Sequence, residues 1–208
     1  MVYRNFITRI LFSIIIFLGY LLSLLNLNYL FIFGLIIYLL IFYEIYINFS
    51  RLKVIAYLYV FISLLSFTLY IYENFNFFIF NTLIFTIVCV DTFSYIFGSL
   101  YGKRKIFKII SPKKSLEGYF AGILFTNISF IFFHYIYIST NNFIQNFFLL
   151  NLIVIVSILG DLFESLLKRN NNIKDSSNLL PGHGGFFDRF DSFIPSIVLI
   201  YIYSSYIL

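Results

Sequence analysis

Residues 165–191 read SLLKRNNNIKDSSNLLPGHGGFFDRFD, a polar and glycine-rich stretch between two apolar segments. The flanking segments, Phe147–Leu167 and Ser192–Leu208, are long enough to cross a bilayer as helices. Irregular backbone does not lie exposed to lipid, because its polar groups need partners there. The stretch is therefore predicted to be a surface loop that joins two membrane-spanning helices.

Composition extends this prediction to the whole chain. Of the 208 residues, 61% are hydrophobic and only 11% are charged, whereas a soluble domain has roughly 45–50% apolar and about 25% charged residues. An ordinary soluble domain is excluded, and the apolar runs are too long and continuous for barrel strands. We predict an all-α polytopic membrane protein with seven spans: Phe6–Leu25, Tyr29–Ile47, Val54–Tyr72, Phe77–Ser99, Tyr119–Ile138, Phe147–Leu167 and Ser192–Leu208.

The basic residues predict the orientation of these spans. With seven spans, all 14 Lys and Arg fall in the N-terminal tail or in even-numbered loops: Arg4, Arg9, Arg51, Lys53, Lys103, Arg104, Lys105, Lys108, Lys113, Lys114, Lys168, Arg169, Lys174 and Arg189. Cation-rich short loops stay in the cytoplasm. We therefore expect a cytoplasmic N-terminus, an external C-terminus, and two large cytoplasmic loops at 100–118 and 168–191, in the inner (plasma) membrane. Residues 1–75 would form three N-terminal spans and 76–208 a catalytic transmembrane domain.

Acidic side chains inside the spans indicate a site, because ionised groups are costly in lipid. Asp161, Glu164, Ser165 and Lys168 are spaced i, i+3, i+4, i+7 and share one helical face. A second polar face follows Asp91 on the fourth span, where small residues admit another helix or a ligand. These two polar faces predict a cavity open to the cytoplasm. The alternative is that each acid pairs with a loop lysine and only holds helices together. Glu44 is expected to snorkel or to pair with Arg51.

The loop adds phosphate and metal chemistry. Gly182, Gly184 and Gly185 allow backbone amides to approach an anion. Asp161, Asp188 and Asp191 supply three carboxylates that suit Mg²⁺. The surrounding cations are Lys168, Arg169, Lys174 and Arg189, with Lys113 and Lys114 in the stretch SPKKS of residues 111–115. This combination of carboxylates, glycines and cationic side chains indicates phosphoryl or nucleotidyl transfer. For residues 103–108, a basic loop that only touches lipid headgroups remains an alternative.

These residues resemble the signature of the phosphatidate cytidylyltransferases, also called CDP-diacylglycerol synthases. The similar pattern is Ser-x-x-Lys-Arg, Lys-Asp, Pro-Gly-His-Gly-Gly and Asp-Arg-x-Asp. Here it is formed by Ser165, Lys168, Arg169, Lys174, Asp175, Pro181, Gly182, His183, Gly184, Gly185, Asp188, Arg189 and Asp191. GDLFES and DTFSYIFGSLYGK are also similar to the family, so the resemblance covers about Asp91 to the C-terminus. Phe93 departs from it, since a smaller residue is more usual there.

The resemblance implies a reaction of CTP with phosphatidic acid that gives CDP-diacylglycerol and pyrophosphate, with Mg²⁺ and without nucleic acid. Asp161, Asp188 and Asp191 would hold the metal, and Lys168 would join them in catalysis. Arg169, Lys174 and Arg189 would neutralise phosphates, and Gly182, His183, Gly184 and Gly185 would cradle them, with Ser165 also at the substrate. Ser111, Lys113 and Lys114 would bind either the phosphatidate headgroup or the nucleotide, and the sequence leaves that choice open.

Two other functions remain as alternatives. A CTP-dependent kinase acting on a polyprenol or phytol would use similar acids and cations but release CDP. An ion-coupled transporter would need polar residues through the full depth of several spans, whereas the intramembrane acids here lie in the cytoplasmic halves. A homodimer and a second, monovalent ion beside Mg²⁺ are left open.

Overall fold

The computed structural model describes residues 14–107, 110–112, 114–137, 143–180 and 184–207. Within these ranges the regular structure is helical apart from two isolated bridge pairs, so the all-α prediction is confirmed. The helices are α1 (Ile14–Ser23), α2 (Leu27–Asn48), α3 (Lys53–Glu73), α4 (Phe77–Tyr101), α5 (Leu116–Tyr137), α6 (Phe143–Asn170), α7 (Phe187–Phe190) and α8 (Phe193–Ile207).

Five of the described helices, α2 to α6, are long and apolar enough to cross a membrane, and α1 and α8 are shorter apolar helices. The chain is therefore a multi-pass membrane protein. Each of the seven predicted spans overlaps one of these helices, while the number of crossings and their direction stay predictions. The four-residue helix α7, directly before α8, was not predicted.

Asparagines define several helix ends. The side chain of Asn76 accepts hydrogen bonds from the amides of Phe78 and Ile79, and Asn26 caps α2 in the same way through Asn28. After α6, Asn172 adopts a left-handed conformation (φ 56°) and the amide of Ile173 bonds to the carbonyl of Lys168. Asparagine tolerates this conformation better than most residues, so the chain turns sharply out of α6 into the polar loop.

Helix α8 is the centre of the main core. Ile194, Ile197 and Ile200 are fully buried, and the helix packs against α3, α4 and α6. At Gly160 a Cβ atom would lie 2.6 Å from the carbonyl oxygen of Asp191, so α6 touches the backbone that leads into α8. This close approach places Asp161 next to the start of α8.

The small-residue face of α4 is covered by α5. A Cβ on Gly118 would lie 2.8 Å from the carbonyl oxygen of Ser94 and 3.0 Å from Cα of Gly98. The two backbones therefore approach as closely as small residues allow. Of the two partners that the sequence left open for this face, a helix or a ligand, the structure gives the helix.

Asn127 on α5 and Asn151 on α6 form a reciprocal amide pair, with N–O distances of 3.1 and 3.0 Å. We expect Asn127→Leu or Asn151→Leu to lower the free energy of unfolding by about 0.6–2 kcal/mol, since each leaves a half-buried amide without its partner on the facing helix. Thermal unfolding in detergent measures this loss. The double Leu variant should lose less than the sum of the single losses, and a fully additive loss would contradict the pairing.

Candidate active site

Acidic and basic side chains gather where α4, α6 and α7 meet the loop that precedes α5. Among the described residues they are linked by ion pairs and by longer-range electrostatic interactions. Five are carboxylates and three are cations. We call this set the charged cluster; its members are Asp91, Lys114, Asp161, Glu164, Lys168, Asp188, Arg189 and Asp191.

Lys168 joins α6 to α7. Its Nζ atom lies 2.6 Å from Oε2 of Glu164 and 2.6 Å from Oδ1 of Asp188. Glu164 is fully buried, and its Oε1 atom has no hydrogen-bond partner among the described residues. The lysine therefore compensates two carboxylates at once, one of them in the protein interior.

Lys114 supplies the second cation and comes from the other loop. It pairs with Asp161 and lies over the ring of Tyr119, 5.8 Å from the centroid. Its backbone amide bonds to the carbonyl of Ser111 at 3.2 Å, so Ser111 belongs to the turn that delivers the lysine. Burial lowers the pKa of Lys114, and the carboxylates of Asp191, Asp91 and Glu164 oppose that shift.

Asp188 and Asp191 differ in their surroundings. Oδ2 of Asp188 accepts hydrogen bonds from the amides of Ser176 and Gly185, both at 2.8 Å. Burial raises the pKa of Asp188, but the charge of Lys168 and these hydrogen bonds outweigh it and leave the pKa below its ordinary value. Burial raises the pKa of Asp191 to about 6, although Lys114 and the amide of Ser192 favour its charged form. The surroundings of Asp188 thus favour its ionised form, whereas burial makes the ionised form of Asp191 less favourable.

The described part of the glycine loop packs against carboxylates. Gly184 has a φ of +84°, and a Cβ there would lie 2.6 Å from Oδ2 of Asp188. A Cβ on Gly185 would meet Ser176 and the carboxylate of Glu44. The amide of Gly185 donates to Asp188, and the amides of the next two residues donate to Glu44. Of the glycine amides predicted to approach an anion, that of Gly185 therefore binds an internal carboxylate in this structure.

The prediction for Glu44 is wrong. This side chain neither snorkels nor pairs with Arg51: it is 1% exposed and accepts four hydrogen bonds from residues 176–187. The sequence did contain a signal, because an ionisable residue inside a span usually marks a functional site. Its partners lie more than 130 residues away, so no local spacing could reveal them.

The other predicted site residues differ in burial and in the groups that they contact. Ser165 is buried on α6, and Lys174 is exposed on the loop. The guanidinium of Arg169 donates to the carbonyls of Ile110 and Ile173, at 3.1 and 3.2 Å, and so ties the two polar loops together. Arg189 is exposed on α7 and interacts electrostatically with Asp91. Four further predicted residues lie outside the described ones: Lys113, Pro181, Gly182 and His183.

The metal assignment stays a prediction. Within the part of the chain that the structure describes, no three His, Cys, Asp or Glu side chains form a group placed to hold one ion. Asp161 and Asp188 face lysine ammonium groups instead.

A family model and individual relatives both relate this chain to cytidylyltransferases. A sequence model described as the cytidylyltransferase family matches residues 2–207. The chain is similar to the phosphatidate cytidylyltransferases of Staphylococcus epidermidis, at 45% identity over 116 residues, and of Aquifex aeolicus, at 41% over 120 residues. These matches cover 54% and 57% of this chain but 43% and 44% of the relatives, so the matched segments span less than half of each relative's length.

Proposed function

Because the chain belongs to the cytidylyltransferase family, we propose that it transfers the cytidylyl group of CTP to phosphatidic acid. The products would be CDP-diacylglycerol and pyrophosphate. The relatives it matches are named phosphatidate cytidylyltransferase.

The observation that carries the proposal is the meeting of the two polar loops at the charged cluster. Lys114 comes from the loop before α5, and Asp188 from the loop before α8, yet both contact carboxylates or cations of α6. A reaction between a lipid phosphate and a water-soluble nucleotide needs such a place, where helix ends reach the membrane surface and charges of both signs are available.

The residues can be given roles within this reaction. A phosphate oxygen of phosphatidic acid attacks the α-phosphorus of CTP, the new P–O bond forms, and the bond to the leaving pyrophosphate breaks. Lys114, Lys168 and Arg189 offset the negative charge of the reacting phosphates. Asp91 and Glu164 hold those cations in place before the substrates bind, because both interact electrostatically with Lys114. Lys174, exposed on the loop, is available for the nucleotide.

The donor set fits a divalent cation in its chemistry. Five carboxylates face three cationic side chains among the described members of the cluster, so formal charge favours an added cation. Hard carboxylate oxygens are the ligands that Mg²⁺ prefers in proteins. We therefore assign Mg²⁺ to Asp161, Asp188 and Asp191, where it would supply charge neutralisation for the phosphates. Lys114 and Lys168 would then turn from the carboxylates towards those phosphates.

The proposal places the site at the cytoplasmic face of the plasma membrane. CTP is a cytoplasmic nucleotide, and the segregation of all 14 Lys and Arg on one side of the predicted spans supports the same orientation.

Membranes containing the expressed chain test the function directly. Given CTP labelled in its cytosine, phosphatidic acid and Mg²⁺, they should form labelled CDP-diacylglycerol and one pyrophosphate per lipid. Release of CDP with phosphorylation of a polyprenol or phytol would instead support the kinase. Membranes from cells without the chain are the control, and no lipid-linked label above that background would refute the proposal.

A further inference from the structure

Glu44 lies on α2, outside the charged cluster, but its carboxylate binds the loop that leads into α7. Oε1 accepts hydrogen bonds from the hydroxyl of Ser177 and the amide of Phe186, both at 2.7 Å. Oε2 accepts from the hydroxyl of Ser176 and the amide of Phe187, both at 2.9 Å. One side chain of the N-terminal half thus contacts two separate parts of the loop that carries Asp188, at residues 176–177 and at residues 186–187.

These four bonds compensate a carboxylate that is almost completely buried. Donors at 2.7–2.9 Å satisfy both of its oxygen atoms. The dependence is mutual, because Phe187 is fully buried and its amide donates to Glu44. Loss of the carboxylate would leave buried N–H groups unsatisfied, which destabilises this conformation of the loop.

The same loop segment also holds Asp188. The amide of Gly185 donates to Asp188, and the amides of Phe186 and Phe187 donate to Glu44. The hydroxyl of Ser176 lies within hydrogen-bond distance of both carboxylates, 2.9 Å from Glu44 and 3.1 Å from Asp188. A change in the position of Glu44 therefore shifts the groups that orient Asp188.

Two more contacts at the end of α2 support this connection. The side-chain amide of Asn48 donates to the carbonyl of Ser176 at 2.8 Å. At the start of the loop, Asn171 accepts the amides of Ser50 and Arg51 at 2.8 and 2.7 Å. The end of α2 and the turn after it therefore hold the first part of the loop at Asn171 and Ser176, and Glu44 is the carboxylate that adds contacts to Phe186 and Phe187.

We propose that Glu44 is a positioning residue for the cytidylyl-transfer site, acting on Asp188 through Ser176 and the backbone of residues 185–187. The proposal rests on the proposed function for its catalytic consequence, but its structural part is measurable without any activity. It gives the N-terminal half of the chain a specific role in the chemistry, since α2 supplies the acceptor that sets the loop.

The test compares Glu44→Gln with Glu73→Gln in the full chain, purified in detergent. Glu73 is a matched control, because it is an exposed carboxylate whose contact is the hydroxyl of Tyr201 at 3.4 Å. Lys174 is an exposed trypsin site within the loop. We expect Glu44→Gln to speed cleavage after Lys174 by about 10-fold or more, because it removes an acceptor for buried amides, and Glu73→Gln to leave the rate unchanged.

The kinetic arm separates positioning from general loss of fold. We expect Glu44→Gln to lower kcat by roughly 10–100-fold, as small displacements of reacting groups do, with the KM for phosphatidic acid within about twofold of wild type. Glu44→Asp, which keeps the charge, should recover part of kcat. If Glu44→Gln does not fold, Ser177→Ala removes a single donor and should shift both readouts in the same direction.

The cleavage rate and kcat together decide whether Glu44 positions Asp188. Faster cleavage with unchanged kcat would restrict Glu44 to holding the loop and overturn its positioning role. Lower kcat with unchanged cleavage would overturn the route through the loop. If the wild-type chain makes no CDP-diacylglycerol, the proposed function fails, while unchanged cleavage in Glu44→Gln and Ser177→Ala would independently refute the loop contact.

Discussion

An Asp191→Asn variant should lose roughly 10²–10³-fold in CDP-diacylglycerol formation, the range seen when one preorganised charged or polar group is removed from an active site. Asp191 lies at the start of α8, in backbone contact with α6 at Gly160. Its charge interacts with Lys114, Lys168 and Asp188. No other described carboxylate at the start of α8 could replace it in the cluster.

The same variant should not be less stable than wild type. Burial raises the pKa of Asp191 from 3.8 to about 6, so at pH 7 the ionised side chain disfavours the folded state. Neutral asparagine removes that cost, and the melting temperature in detergent is expected to stay equal or to rise. A turnover within about threefold of wild type would refute the role given to Asp191, and a large fall in melting temperature would show that the loss of activity is a loss of fold.

Asp161→Asn supplies the matched comparison. If Asp161 and Asp191 share one cation, the double variant should lose about as much activity as either single variant, because residues that act as a unit are not additive. Each single variant should also need a higher Mg²⁺ concentration for its residual turnover. Multiplicative losses in the double variant would place the two carboxylates in separate functions.

Lys168→Met is expected to lose both activity and stability. Nζ of Lys168 compensates Glu164 and Asp188 at 2.6 Å each, and Glu164 is fully buried. Removing one partner of a buried ion pair costs about 3–5 kcal/mol, because the other charge remains without compensation. For a chain of this size the melting temperature should fall by roughly 6–20 °C, and turnover should be lost with it.

Two further variants separate the stability of Lys168 from its chemistry. Lys168→Arg keeps the charge and should retain most of the stability. Lys168→Met combined with Glu164→Gln removes the buried charge as well as its partner, so it should recover part of the lost melting temperature without recovering turnover. A Lys168→Met single variant that melts like wild type would contradict the bridge between α6 and α7.

Hydropathy and helix periodicity predicted most of the fold, because lipid allows few backbone solutions. A helix overlaps each of the seven predicted segments, and α4 begins at the predicted Phe77. Helix α7 was missed because four residues are too few for a periodic signal. The start of the loop after α6 was predicted from its polar residues. The left-handed backbone conformation of Asn172, which turns the chain there, was not predicted.

The site was predictable where its residues are near one another in sequence. The spacing of Glu164 and Lys168 anticipated their ion pair, and Asp161 was expected beside a basic loop, which supplies Lys114. The role of Glu44 depends on contacts made by folding alone. The amide of Gly185 also looked available for phosphate, and only the packed structure shows that the carboxylate of Asp188 accepts its hydrogen bond.

The distance along the chain between Glu44 and its donors has a consequence for biogenesis. Its first donor, Ser176, is 132 residues later in the sequence, and a ribosome adding roughly 5–20 residues per second needs on the order of ten seconds to reach it. During that interval α2 enters the translocon and the bilayer with a carboxylate that has none of its final partners. A nascent chain halted before Ser176 therefore lacks every donor that satisfies this carboxylate in the folded protein.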